Sequence, residues 1–202
     1  MRSDNGYVLV AEDAVVTLRT LEEVVQFGTP PMIESFVHEN RCDIDSIGES
    51  GLAPLHIAAE MGRPDKIEAL LACGAKVDVR DAEDRTPLHF ASGRQGASNA
   101  LQAIGSLFGM EVSSYSRCVE RLVDAGANVN SQDTSGWTPL HYAADKKNSM
   151  VVDTLLARGA SPHVADEVGM LPQDVAIAVG NQRIAAKLEP TALRVVAPDI
   201  EV

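Results

Sequence analysis

Gly136-Trp-Thr-Pro-Leu-His-Tyr-Ala-Ala144 is the stretch that decides the fold. It sets a proline and a histidine among apolar residues, and it has relatives elsewhere in the chain. "GLAPLHIAA" occupies 51–59, "RTPLHFAS" occupies 85–92, and a worn copy, "GMLPQDVAI", occupies 169–177. Their prolines, Pro54, Pro87, Pro139 and Pro172, are spaced by 33, 52 and 33 residues, so the middle step is one period plus 19. A second element keeps the same register. "GAKVDVRD" (74–81), "GANVNSQD" (126–133) and "GASPHVAD" (159–166) each place a glycine 13 positions before the proline of the next repeat. Two independent motifs locked in one phase define an internal repeat.

The residues of each unit read as two helices. Thr86 and Thr138 stand where an N-cap is wanted, with hydroxyls able to accept from free backbone N–H groups. Proline follows at the first helical position, where its missing N–H costs little. Ala58, Ala59, Ala91, Ala143 and Ala144 are small enough for neighbouring first helices to pack closely. In the second helices Ile67, Leu70 and Leu71, then Val119, Leu122 and Val123, then Val152, Leu155 and Leu156 fall at i, i+3, i+4. Gly74, Gly126 and Gly159 end these helices, where positive φ is expected.

The pattern resembles the ankyrin repeat, whose signature is T-P-L-H-x-A within a period of about 33. The resemblance covers roughly 20–188 and implies an all-α solenoid of stacked helix-turn-helix units with β-turn or hairpin tips. Five repeats are expected, at about 20–45, 46–78, 79–130, 131–163 and 164–188, the first and last being degenerate caps. Thr20 and Glu23 form a capping-box pattern in the first, and Asn40 sits near its helix-ending position. Asp174 replaces the histidine in the last. The 19-residue excess forms an insertion at about 93–113. The ends, 1–19 and 189–202, are expected to be partly disordered.

His56, His89 and His141 recur at one phase, two residues after the proline. Repeat-spaced histidines form a row rather than converging on a point, as a catalytic or metal site requires. The resemblance implies a structural role, with each imidazole bonding backbone and the motif threonine. Ala53 replaces that threonine beside His56, which puts the bond from His56 to its own motif at risk. The framework residues are thus Pro54 and His56, Thr86, Pro87 and His89, and Thr138, Pro139 and His141.

Other chemistry finds little support. No C-x-x-C, Gly-rich phosphate loop or G-x-S-x-G elbow occurs, and the three cysteines lack metal-ligand spacing. Hence no catalytic residue, cofactor or metal is expected. The net charge of −12 argues against nucleic acid and against an anionic membrane surface. No apolar run approaches the roughly 20 residues of a membrane span, the acid-interrupted N-terminal stretch is a poor signal peptide, and three cysteines, an odd number, suit a reducing setting, so a cytoplasmic protein is expected, and a monomer. Residues 1–50 carry ten acids against three bases, which suits a partner with a basic surface.

What remains is recognition of a protein partner. The resemblance implies a concave face built from tips and the exposed sides of first helices. The tip positions are Leu52, Arg85, Trp137 and Met170, and residues after the first helices include Met61, Arg94, Lys146 and Lys147. Trp137, the single tryptophan, beside Arg85 is the candidate anchor. Leu101, Ile104 and Phe108 give the insertion an apolar side, for docking on the stack or on a partner. The expected role is an adaptor or scaffold. The alternatives are a regulatory subunit or inhibitor that covers the site of an enzyme or toxin and, remotely, an enzyme.

Overall fold

A computed structural model describes residues 2–3, 6–11, 14–93 and 114–189. Ten helices among these residues pair into five antiparallel hairpins. They are α1 (Leu21–Phe27) with α2 (Pro30–Asn40), α3 (Pro54–Glu60) with α4 (Pro64–Ala72), and α5 (Pro87–Ser92) with α6 (Ser114–Asp124). Then come α7 (Pro139–Asp145) with α8 (Ser149–Ala157), and α9 (Pro172–Ala178) with α10 (Gln182–Leu188). The odd-numbered helices pack in sequence as an inner layer, and α2, α4, α6 and α8 stack as an outer one. This is the all-α solenoid that the sequence period predicts.

The packing follows from residue size. Ala58, Ala59, Ala91, Ala143, Ala144 and Ala176 are fully buried on the inner helices, where their small side chains let neighbouring helices pack closely. Ile67, Leu70, Val119, Leu122, Val152 and Leu155 fill the space against the outer layer and are equally buried. Gly74, Gly126 and Gly159 end the outer helices with φ of 92°, 96° and 86°.

Ahead of α1, the described residues carry an antiparallel sheet of β1 (Arg2–Ser3), β2 (Gly6–Ala11) and β3 (Ala14–Leu18), in that order. Register runs from Tyr7↔Leu18 to Ala11↔Ala14, leaving two residues between the paired strands. The run of β-branched residues outweighs the tendency of termini to fray. Leu18 is buried and joins the core at α1.

A smaller correction falls at the end of α2. Arg41, rather than Asn40, takes the left-handed conformation (φ 47°), while the Asn40 side chain donates to the Phe36 carbonyl at 2.9 Å. The insertion, with Arg94, Leu101, Ile104 and Phe108, lies outside the described residues except for Gly93, as does the C-terminal segment 190–202.

Candidate functional site

The three histidines are buried framework (0%, 1% and 0% exposed for His56, His89 and His141), so none is free for chemistry on a substrate. Nδ1 of His89 accepts the Thr86 backbone N–H at 3.0 Å, and Nδ1 of His141 accepts that of Thr138 at 3.0 Å. An Nδ1 that accepts leaves the proton on Nε2, which donates to the next tip. The acceptors are the Arg85 carbonyl for His56 (3.0 Å), the Trp137 carbonyl for His89 (3.1 Å) and the Met170 carbonyl for His141 (3.1 Å). Each imidazole thus zips its own helix start to the following repeat. Burial pushes all three below the ordinary histidine pKa.

The threonines meet the imidazole, as the resemblance implies, rather than the helix N–H groups. Thr86 and Thr138 are N-caps with extended backbone, but their hydroxyls make no bond to the helix N–H groups. They sit 3.0 and 2.9 Å from the histidine Nδ1 instead, because the imidazole at the third helical position turns back over the cap. At Ala53 the hydroxyl is missing, yet the Ala53 N–H still reaches His56 Nδ1 at 3.1 Å. The motif bond of His56 therefore survives in part.

The tips are tied together on the far side of the zipper. The Thr134 N–H donates to the Glu83 carbonyl at 3.0 Å and the Glu167 N–H to the Ser135 carbonyl at 3.1 Å. Gly136 is needed at this contact: its φ is 78°, and a Cβ would stand 2.7 Å from the Glu167 nitrogen. The side chains of the tip row are held on this rigid base. Arg85 is bound by Asp81 at 2.8 Å and Glu83 at 3.1 Å, and its guanidinium carbon lies 4.8 Å from the Phe90 ring centre. Asp81 sits below the usual carboxylate range, since its bonds to Arg85 and to two backbone N–H groups outweigh its desolvation. Trp137 donates its indole N–H to Asp166 at 3.1 Å, stacks near His141 at 5.9 Å, and meets Tyr142 edge-on at 5.3 Å. The Tyr142 hydroxyl donates to Asp133 at 2.7 Å; burial and that carboxylate push its pKa up.

Arg85 and Trp137 therefore belong to one surface, with Phe90 and Tyr142 between them. Neither aromatic was among the expected site residues. Their signal was the variable x of T-P-L-H-x-A, which is aromatic in two successive repeats. A pocket of about 140 Å³ opens here, lined by Glu60, Arg85, Phe90, Tyr142 and Lys146. Lys146 pairs with Asp145 at 2.7 Å, and Lys147 is exposed with φ 58°. Met61 is exposed, whereas Leu52 and Met170 are half-buried against the core. Asp84 pairs with Arg80 at 3.9 Å.

The cysteines do not join this surface. Cys118 is buried in α6, and burial pushes its thiol up to about 12. Cys42 and Cys73 are half-buried, with thiols also raised by desolvation. Among the described residues no group of three or more His, Cys, Asp or Glu side chains is placed to hold a metal ion. No helix among them is long and apolar enough to cross a membrane.

Helical hairpins zipped tip to helix, presenting a continuous tip-and-inner-helix face, define a recognition solenoid. The chain belongs to the ankyrin-repeat family: the family model for ankyrin repeats (3 copies) matches residues 21–112 and 108–166. Relatives include an L-asparaginase of Dirofilaria immitis, 31% identical over 67% of this chain and 25% of that protein. Ankyrin repeat and SOCS box protein 16 of Mus musculus is 30% identical over 64% of this chain and 26% of its own length. The inactive serine/threonine-protein kinase TEX14 of Bos taurus is 30% identical over 68% of this chain and 8% of its own. The chain spans about a quarter or less of the length of these curated relatives. What it shares with them is the repeat, and ankyrin repeats mediate protein–protein interaction.

Proposed function

We propose that the chain is an adaptor or scaffold that recognises a partner protein through the face formed by Arg85, Phe90, Trp137, Tyr142 and Lys146. One observation carries the reading: the large side chains of this face are fixed before any partner arrives. Carboxylates hold the Arg85 guanidinium, the Trp137 indole N–H and the Tyr142 hydroxyl. Rigid aromatic and arginine side chains give contact area at little cost in ordering, which is how binding hot spots are built. The mechanism is surface recognition without chemistry on the partner.

The test compares affinity purification from the source organism with the wild type, Trp137→Ala and Lys146→Glu. Lys146 lies at the rim of the face, so its reversal leaves the core intact. Each substitution is expected to weaken the captured partner by at least about tenfold. Unchanged affinity in both variants, with intact folding by circular dichroism, refutes this face as the interface.

A further inference from the structure

The zipper that closes three junctions is absent from the first. In α1 the residue in phase with the histidines is Glu23, and a carboxylate has no proton to offer the following tip. It turns back instead, its Oε2 accepting the Arg19 and Thr20 N–H groups at 2.7 and 3.0 Å. The tip carbonyl in phase with those of Arg85, Trp137 and Met170 is that of Leu52. It accepts the Gly48 N–H of its own tip at 3.0 Å, and among the described residues no α1 side chain bonds to it.

A cleft of about 560 Å³ lies at this junction, between the first turn of α1 and the 46–52 tip. Its apolar surface comes from Leu21, Ile47, Leu52 and Pro54, and Ile47 is 50% exposed. Among the described residues its charged groups are Glu22, Glu23 and Glu49, and no Lys, Arg or His lines it. Glu22 closes against Gly48 so tightly that a Cβ on Gly48 would stand 2.1 Å from its Oε2. Arg19, whose backbone N–H bonds Glu23, is a cation next to this end of α1.

We propose that this cleft docks a basic segment of a partner protein, an aliphatic residue flanked by arginine or lysine. The proposal rests on the protein-recognition reading and narrows its partner class. Charge complementarity selects the occupant. The carboxylates are acceptors, while guanidinium and ammonium groups are donors throughout. The methylene stems of such side chains cover Leu52 and Ile47 while their heads reach Glu22 and Glu49. The sequence that contributes the cleft is acidic as well, with ten acids against three bases in residues 1–50.

The test titrates the full isotope-labelled chain with acetyl-Gly-Arg-Leu-Arg-Gly-amide and, as a control, with the same peptide carrying glutamate for arginine. The basic peptide is expected to shift the amides of Glu22, Gly48, Glu49 and Leu52, and to lose affinity as salt is raised. Glu22→Gln with Glu49→Gln should weaken it about tenfold or more. Glu167→Gln with Glu189→Gln, which removes equal charge elsewhere, should leave it unchanged. Circular dichroism reports whether each variant keeps its fold. Shifts scattered over the acidic surface, equal weakening by both pairs, or no response to the basic peptide overturns the proposal. Should the peptide fail while Trp137→Ala still weakens partner capture, the cleft proposal falls and the recognition face stands. The reverse pattern removes the face and keeps the cleft.

Discussion

Ala53→Thr should stabilise the protein, and the other repeats supply the magnitude. Position 53 is buried, as are Thr86 and Thr138 (0%, 0% and 1% exposed). His56 Nδ1 already accepts the residue-53 N–H at 3.1 Å, close to the 3.0 Å of both threonine repeats. A hydroxyl there finds its acceptor in place at the 2.9–3.0 Å seen for Thr138 and Thr86. A neutral hydrogen bond is worth about 0.5–1.5 kcal/mol net. The Nδ1 lone pair is shared with the backbone N–H, so the lower half of that range applies, about 0.5–1 kcal/mol. In a domain of this size that raises the thermal midpoint by roughly 1–4 °C. Urea denaturation of Ala53→Thr, His56→Ala and the double variant closes a mutant cycle. The gain must appear with the imidazole and vanish without it. An equal gain in both backgrounds, or a loss with His56 intact, refutes the assignment of the threonine hydroxyl to the zipper.

Three further outcomes follow from the same contacts. Thr138→Ala, the reverse change in an intact repeat, should cost about 1 kcal/mol in the same urea measurement. Stability should fall on mild acidification. His56, His89 and His141 have folded pKa values below the ordinary 6.5, so the unfolded chain binds protons first, and stability present at neutral pH is lost as pH drops below 6.5. A urea midpoint unchanged between neutral and mildly acidic pH would exclude this linkage. Lys66, fully buried in α4, donates its Nζ to the Val25 and Gln26 carbonyls at the end of α1, at 2.5 and 3.1 Å. Lys66→Met should cost about 1–3 kcal/mol by leaving those carbonyls unpaired. It should speed hydrogen exchange in α1 while α7–α10 stay protected, and unaltered exchange in α1 would count against the cap.

The framework was legible because repetition supplies its own control. Pro54, Pro87 and Pro139 recur with His56, His89 and His141 at fixed offsets, so one sequence shows which residues are architecture. Residues that differ between repeats were harder to read, since what each touches depends on its neighbours. Trp137 stood out by its type alone, but its bond to Asp166 spans 29 positions and belongs to the stacked form. Phe90 and Tyr142 were hidden in the variable position of the motif, and only stacking shows that both face the same side. The threonine hydroxyls carried two expectations, a backbone N–H by the capping rules and the motif imidazole by the resemblance, and the imidazole is the partner they meet. The imidazole three residues on wins, being brought back over the cap by the helix itself.

The terminal repeat explains why the protein has two surfaces of different character. Where histidine spans a junction, tip and helix are drawn together, and the exposed face there is made of side chains held rigid on top: Arg85 over Phe90, Trp137 against Tyr142. Where Glu23 takes its place, the carboxylate serves its own helix start, and among the described residues no α1 side chain reaches the next tip carbonyl. Glu23 at the framework position thus forms a capping box and withholds the inter-repeat bond, beside a carboxylate-lined cleft with an apolar floor. The polarity of both outcomes follows from proton inventory: an imidazole with one accepting and one donating nitrogen can bridge two repeats, and a carboxylate, which only accepts, cannot.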